Sequence, residues 1–328
     1  MNNDGEGGDV FLRKQNNNMR KETLFEMKSP YRDTFEVVGY WFGNGSKTLA
    51  VVGAMRGDEI QQQYICAQLV KALKEVERSG KLADDKSILV IPSCNPFSMN
   101  VSKRFWAMDG TDINRMFPGY DQGETTQRIA AALFDHIKDF EYGIQLASFY
   151  LPGDFVPHVR MLKTGYEAVK DALLFGLPFT TTRVPLPFDT TLLNYNWQIW
   201  GTKAFSIYAG QTNYVENSTS QQTVDAILRF LKKGGITRSR VQNPGYESVF
   251  LEEEELVNIT ARRAGIFYRI IGAGPHVSEG EVLARIMDPY DGTVLEEVRS
   301  PVNGTVFFAH NRPLTLQHAI IYRIQVFD

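Results

Sequence analysis

The chain has 328 residues, 43% of them apolar, and sets 35 Lys and Arg against 38 Asp and Glu for a net charge of -3. That is apolar material for one large core or two domains, and the near balance of charge leaves no footprint for nucleic acid or an acidic membrane surface. No apolar run is long enough to span a membrane, and two cysteines, Cys66 and Cys94, are too few for a disulfide framework. A cytoplasmic protein with reduced thiols is expected.

Residues 1–20, polar and rich in Asn and Gly, read as a disordered tail without an apolar leader. Two β-rich runs, FEVVGYWF and TLAVVGAM, flank the turn GNGSK and suggest a hairpin. From Asp58 to about Ser79, Ile65, Leu69, Leu73 and Val76 recur at helical spacing. Strand SILVIPS, helix ETTQRIAAALFDHIKD, strand YGIQLAS, helix GYEAVKDALLFG, strand AFSIYAG and helix TVDAILRFLKKGG follow. This alternation predicts an α/β fold over 21–237, with a mostly parallel or mixed sheet and helices on both faces. Chemistry in such folds sits beyond the carboxyl ends of the strands, where Arg56, Asn95, Ala147 and Tyr208 fall.

The segment 176–202 is aromatic and Pro-punctuated. It reads either as a lid with contacts from Arg183, Tyr195, Trp197 or Trp200, or as cover for a sheet edge or subunit interface. Beyond it, short strands at regular spacing over 238–328 predict a small all-β sandwich or barrel, with the acidic run LEEEEL as a solvated face.

The succession GAMRGDE, NPFSMNVSKR, DINRMFPG and GETTQRIA, closed by VRSPVNGTV, resembles the succinylglutamate desuccinylase/aspartoacylase family, relatives of the zinc carboxypeptidases. The resemblance spans roughly residues 35–325. It implies a zinc carboxypeptidase-like fold and a zinc ion held by two His and one Glu, with water in the fourth position. It also implies which ligands have gone. Glu59 is retained, but Arg56 and Ala147 stand at the histidine positions, Gln145 at an Asp that accompanies the second one, and Tyr208 at the general-base Glu. A guanidinium has no lone pair to give, and a phenol is a poor base at neutral pH. The substrate side carries over to Arg104, Asn114 and Arg115, which with Arg56 could line a pocket for a small carboxylate or acyl-amino-acid-like ligand.

The resemblance therefore implies a degenerate homologue that binds, regulates or partners, without a cofactor, alone, as a homo-oligomer, or with an active relative. The alternative is an amidohydrolase working on an amide or ester with rearranged zinc ligands or without metal. Arg56 could instead be a structural ion pair with Glu59. Asp58 reads as a helix cap, and Asp112 as the orienter of an arginine or a turn cap. His158, on the loop after YGIQLAS, could rebuild a metal site with Glu59 and Asp154, whereas His136, His276, His310 and His318 look uninvolved. Cys94 beside Asn95 is a weak nucleophile candidate, and a partner-docking role for the β region is the remaining option.

Overall fold

Strands that are apolar on both faces must lie inside a sheet, and the computed structural model, which describes residues 19–241 and 243–327, builds one large mixed sheet from them. Strands β1 (Arg20–Ser29) and β2 (Arg32–Phe42) pair antiparallel at one edge. Then follow β3 (Ser46–Ala54), α1 (Ile60–Arg78), β4 (Lys86–Ser93), α2 (Pro96–Asn100), α3 (Thr125–Ile137), β5 (Tyr142–Ala147) and β6 (Gly153–Leu162). The α/β part closes with α4 (Val169–Ala172), β7 (Phe179–Arg183), α5 (Leu193–Ile199), β8 (Lys203–Gly210) and α6 (Asn217–Lys233). The remainder is all strand: β9 (Val249–Glu252), β10 (Val257–Thr260), β11 (Gly265–Arg269), β12 (His276–Val277), β13 (Val282–Met287), β14 (Val294–Arg299), β15 (Gly304–His310), β16 (Leu314–Thr315) and β17 (Ile320–Val326).

The order across the main sheet is β1-β2-β4-β3-β5-β8-β6-β15-β17-β10. Its centre, β4-β3-β5-β8, is parallel. Ile65, Leu69 and Leu73 of α1 and Ile227 and Phe230 of α6 cover one face. Ile129, Leu133 and Phe134 of α3 and Trp197 of α5 cover the other. The antiparallel strands β14-β13-β11-β16 form a second, smaller sheet. A mixed α/β sheet with helices on both faces plus a C-terminal antiparallel β region is thus the architecture. The β region is also stitched to the α/β part, because β15 pairs with β6 over Phe155↔Phe308 to Gly153↔His310.

Several expectations need correction. The expected tail falls outside the described residues up to 18, and Arg20 already begins β1. FEVVGYWF and TLAVVGAM do not form a hairpin: β4 lies between them, antiparallel to β2 and parallel to β3. From Thr48 to Ala54 every residue of β3 is buried, so it needs a strand on each side and cannot flank a simple turn. GYEAVKDALLFG is helical only over α4 and a 3-10 turn, Leu173–Phe175, stopped by Gly176 at a left-handed φ of 58°. The segment 176–202 is no open lid: it contributes β7, a 3-10 turn (Pro187–Thr191) and α5. Of its aromatics, Trp197 is fully buried and Trp200 is exposed.

Candidate ligand pocket

The carboxyl ends of β3, β5 and β8 converge on a cavity of about 580 Å³ that Arg56, Ala147 and Tyr208 all line. Asn95 follows β4 at the same end of the sheet but is buried as the cap of α2, its side chain accepting from Ser98 N at 3.2 Å.

Arg56 leaves β3 at a turn so tight that a Cβ on Gly57 would lie 2.2 Å from the Lys103 carbonyl oxygen. That turn sends the guanidinium inward, where it is 3% exposed. Its Nη1 donates to Glu59 Oε1 at 2.9 Å, and its Nε and Nη2 donate to Asp112 Oδ2 at 3.1 and 2.9 Å. Glu59 is equally committed. Its Oε2 accepts the backbone N–H groups of Met55 and Arg56 at 2.7 and 3.0 Å, and its Oε1 also accepts from Ser148 Oγ. Asp112 caps the 3-10 turn Ile113–Arg115 through Asn114 N and accepts the Tyr150 hydroxyl at 2.7 Å. Burial alone would push the Asp112 carboxyl up, but the Arg56 charge and these donors outweigh it and hold the carboxyl below its ordinary range. Arg56 loses some basicity to burial and regains more from Glu59 and Asp112, so it stays charged.

The result is a buried triad, Glu59–Arg56–Asp112, beneath the pocket. A zinc ion does not fit it. Both oxygens of Glu59 are occupied, Arg56 brings a positive charge to where a dication would sit, and Ala147 offers no donor atom. Among the described residues, no group of three or more His, Cys, Asp or Glu is placed to hold a metal ion. The rebuilt set of Glu59, Asp154 and His158 does not assemble. His158 lies on β6 rather than on a loop and is completely buried, and Asp154 is paired with Arg269. The His158 ring stacks on Tyr208 at 5.1 Å, donates from Nδ1 to the Val156 carbonyl at 2.8 Å, and is held down to a pKa of about 4, chiefly by burial.

Tyr208 receives a hydrogen bond from Arg160 Nη2, and burial pushes its phenol up, further from use as a base. Arg160 pairs with Glu253 at 3.1 Å, and Arg323 approaches the other oxygen of Glu253 at 3.6 Å. LEEEEL is therefore not simply a solvated face, since Glu253 turns inward and is 4% exposed.

The expected arginines divide. Arg115 lines the pocket, its Nε donating to Tyr150 Oη at 3.2 Å and its Nη1 to the Phe188 carbonyl at 2.7 Å. Asn114 lines it too, its Oδ1 accepting from Gln145 Nε2 at 3.0 Å. Arg104 does not. Its Nη1 takes both oxygens of Asp58 at 2.9 and 2.7 Å, beside a smaller neighbouring cavity, so Asp58 is an ion-pair partner and not a helix cap. Sequence reasoning missed Arg160, Arg323 and Glu253 as pocket residues. At the described lining, Arg115, Arg160, Arg183 and Arg323 face only Asp189 and Glu253, an excess of two positive charges over a triad with one net negative charge. Cys94 is buried and well removed from thiolate chemistry, its thiol pushed up first by burial and then by Glu59.

Residues 45–146 match the family model for the succinylglutamate desuccinylase/aspartoacylase catalytic domain. The chain is 22% identical over 260 residues to the N-alpha-acetyl-L-2,4-diaminobutyric acid deacetylase of Halomonas elongata, covering 74% of this chain and 70% of that one. Its fold is similar to that of a succinylglutamate desuccinylase from Silicibacter sp. TM1040, with a TM-score of 0.78, 18% identity and 95% of both chains covered. The product-bound ectoine utilization protein EutE (DoeB) from Ruegeria pomeroyi gives a TM-score of 0.77 at 19% identity, over 95% of this chain and 96% of that one.

Proposed function

The chain belongs to the succinylglutamate desuccinylase/aspartoacylase family, and from that premise we propose that its pocket binds a small carboxylate, such as an acyl-amino-acid-like ligand, without hydrolysing it. The carrying observation is the buried Glu59–Arg56–Asp112 triad. Its Arg56 guanidinium stands where a metal would otherwise polarise a carbonyl, and both Glu59 oxygens are already taken by hydrogen bonds. Arg115, Arg183 and Arg323 supply guanidinium forks suited to a carboxylate. Family relatives are deacylases, so the ligand class follows theirs while the chemical step falls away. In this reading the protein is a cytoplasmic binding, regulatory or partner subunit, with 21–237 and 238–328 as its units. Among the described residues, no helix is long and apolar enough to cross a membrane.

A hydrolytic reading would have to pass through Ser148. Its hydroxyl lines the pocket, donates to Glu59 and accepts from Arg104 Nη2 at 3.2 Å. That is a nucleophile, a carboxylate and a cation in contact, but Glu59 already accepts from three other donors. The test is calorimetric titration of chelator-treated protein with N-acyl amino acids, alongside elemental analysis and a turnover assay. Binding without zinc and without product supports the proposal. Stoichiometric zinc lost in Glu59→Ala, or turnover lost in Ser148→Ala, would overturn it.

A further inference from the structure

Asn194 is 3% exposed and lines the pocket, yet neither its Oδ1 nor its Nδ2 has a hydrogen-bond partner in the protein. The side chain is also firmly mounted. Trp197, one helical turn on in α5, packs against Gly143, where a Cβ would lie 2.7 Å from the indole, and its Nε1 donates to the Ile137 carbonyl at 3.1 Å. Leu193 beside it is fully buried. Natural interiors rarely leave a buried amide unanswered on both edges. The same cavity is walled by Gln145, Ser206 and Arg160, which are register neighbours across β5, β8 and β6. The cavity thus has a polar floor that lies deeper along the strands than Ala147 and Tyr208.

We propose that Asn194 is a specificity residue that reads a ligand group whose C=O and N–H point the same way, a primary carboxamide or a ureido group, on a molecule whose carboxylate meets the pocket arginines. The inference rests on the carboxylate-binding reading above and narrows it. A side-chain amide satisfies both its edges at once only against a partner with a syn donor and acceptor. A carboxylate offers acceptors alone and would face Asn194 Oδ1 with like polarity. A trans N-acyl amide carries its C=O and N–H on opposite edges, so one asparagine cannot take both. A ketone engages Nδ2 and leaves Oδ1 orphaned.

The experiment is calorimetric titration of the full chain with succinamate and glutaramate, each against its methyl-ketone isostere, 4-oxopentanoate or 5-oxohexanoate. These pairs share the carboxylate and differ by NH2 against CH3. The carboxamides are expected to bind about tenfold or more tighter, from one added hydrogen bond and one relieved orphan. In Asn194→Leu that preference disappears, because carboxamide and ketone alike lose their contact with residue 194. Equal affinity of carboxamide and ketone in the wild type, or a preference that survives in Asn194→Leu, overturns the role of Asn194 and leaves carboxylate binding intact. Absence of binding by all four probes and by N-acyl amino acids overturns the underlying reading as well. Should Asn194→Leu fail to fold, the wild-type comparison decides alone.

Discussion

The triad makes a claim about energy that can be measured directly. Arg56→Met keeps length and apolar bulk but deletes the only charge that Glu59 and Asp112 share in the described structure, at side chains 3%, 1% and 9% exposed. Removing one partner from a buried ion network costs about 3–5 kcal/mol, because the remaining charge is stranded in a poorly solvating site. For a chain of this size that corresponds to a fall in Tm of roughly 4–7 °C. The variant should also respond differently to pH. In the wild type the Asp112 carboxyl is held below its ordinary range, so its contribution is present above the unfolded pKa and is lost only as pH falls through the lower folded value. Without Arg56, burial dominates and the carboxyl moves above its ordinary range. The variant then gains stability as pH drops from 7 toward 5, and its Tm gap to wild type narrows.

Scanning calorimetry of the wild type, Arg56→Met and Arg56→Met/Asp112→Asn from pH 5 to 8 reads this out. The double variant should recover part of the loss at pH 7, since it no longer buries that unpaired carboxylate. An Arg56→Met protein as stable as wild type, or a gap that does not change with pH, would refute the triad as a stabilising ion network.

Two further outcomes follow from buried groups. His158, with its pKa at about 4 against an ordinary 6.5, binds a proton less readily in the folded than in the unfolded chain. Stability should therefore fall as pH drops from 6.5 toward 4, by up to about 3 kcal/mol, and His158→Phe, which keeps a ring against Tyr208, should flatten that acid limb in chemical denaturation. Burial raises both the Cys66 and Cys94 thiols, so a thiol reagent should leave native protein unmodified at pH 8 and label both cysteines once it is unfolded.

Much of this was legible in the sequence because periodicity reports burial. The largely apolar runs of β3, β4 and β5 read as strands, and the spacing of Ile65, Leu69 and Leu73 as an amphipathic helix. Pairing partners were not legible, since nothing within FEVVGYWF or TLAVVGAM says that β4 will come between them. The failure at β6 has a similar cause. GDFVPHVRML carries a Pro, and Asp154, His158 and Arg160 interrupt its apolar residues without a regular alternation from Asp154 to His158, so His158 was read as a loop residue. Arg104 was misassigned because a motif fixes where a side chain starts and not which carboxylate it finds. Asp58, in the turn after Arg56, captures it. Glu253 was hidden by its neighbours: in a run of four glutamates, only the backbone path of Glu253–Glu255 decides which one turns inward.

Arg56, Ala147 and Tyr208 depend on their neighbours, so no single substitution would build a metal site here. Arg56 is tolerable in the interior only because Asp112 and Glu59 neutralise it, and that use of Glu59 leaves its oxygens unavailable to a metal ion. Ala147 and Tyr208 are opposite each other in the β5-β8 register, with Tyr208 in turn opposite His158 on β6. A carboxylate at 208 would meet Arg160 in place of the phenol and would compete with Glu253 for it, becoming a second buried acidic group beside Arg160 and Arg323. Histidine at 56 would strand Asp112 unless it too were changed. Building a metal centre at this place would therefore take concerted replacement of residues from β3, β5 and β8 and of the Asp112 turn, which is why the proposed reading is binding rather than metal-dependent hydrolysis.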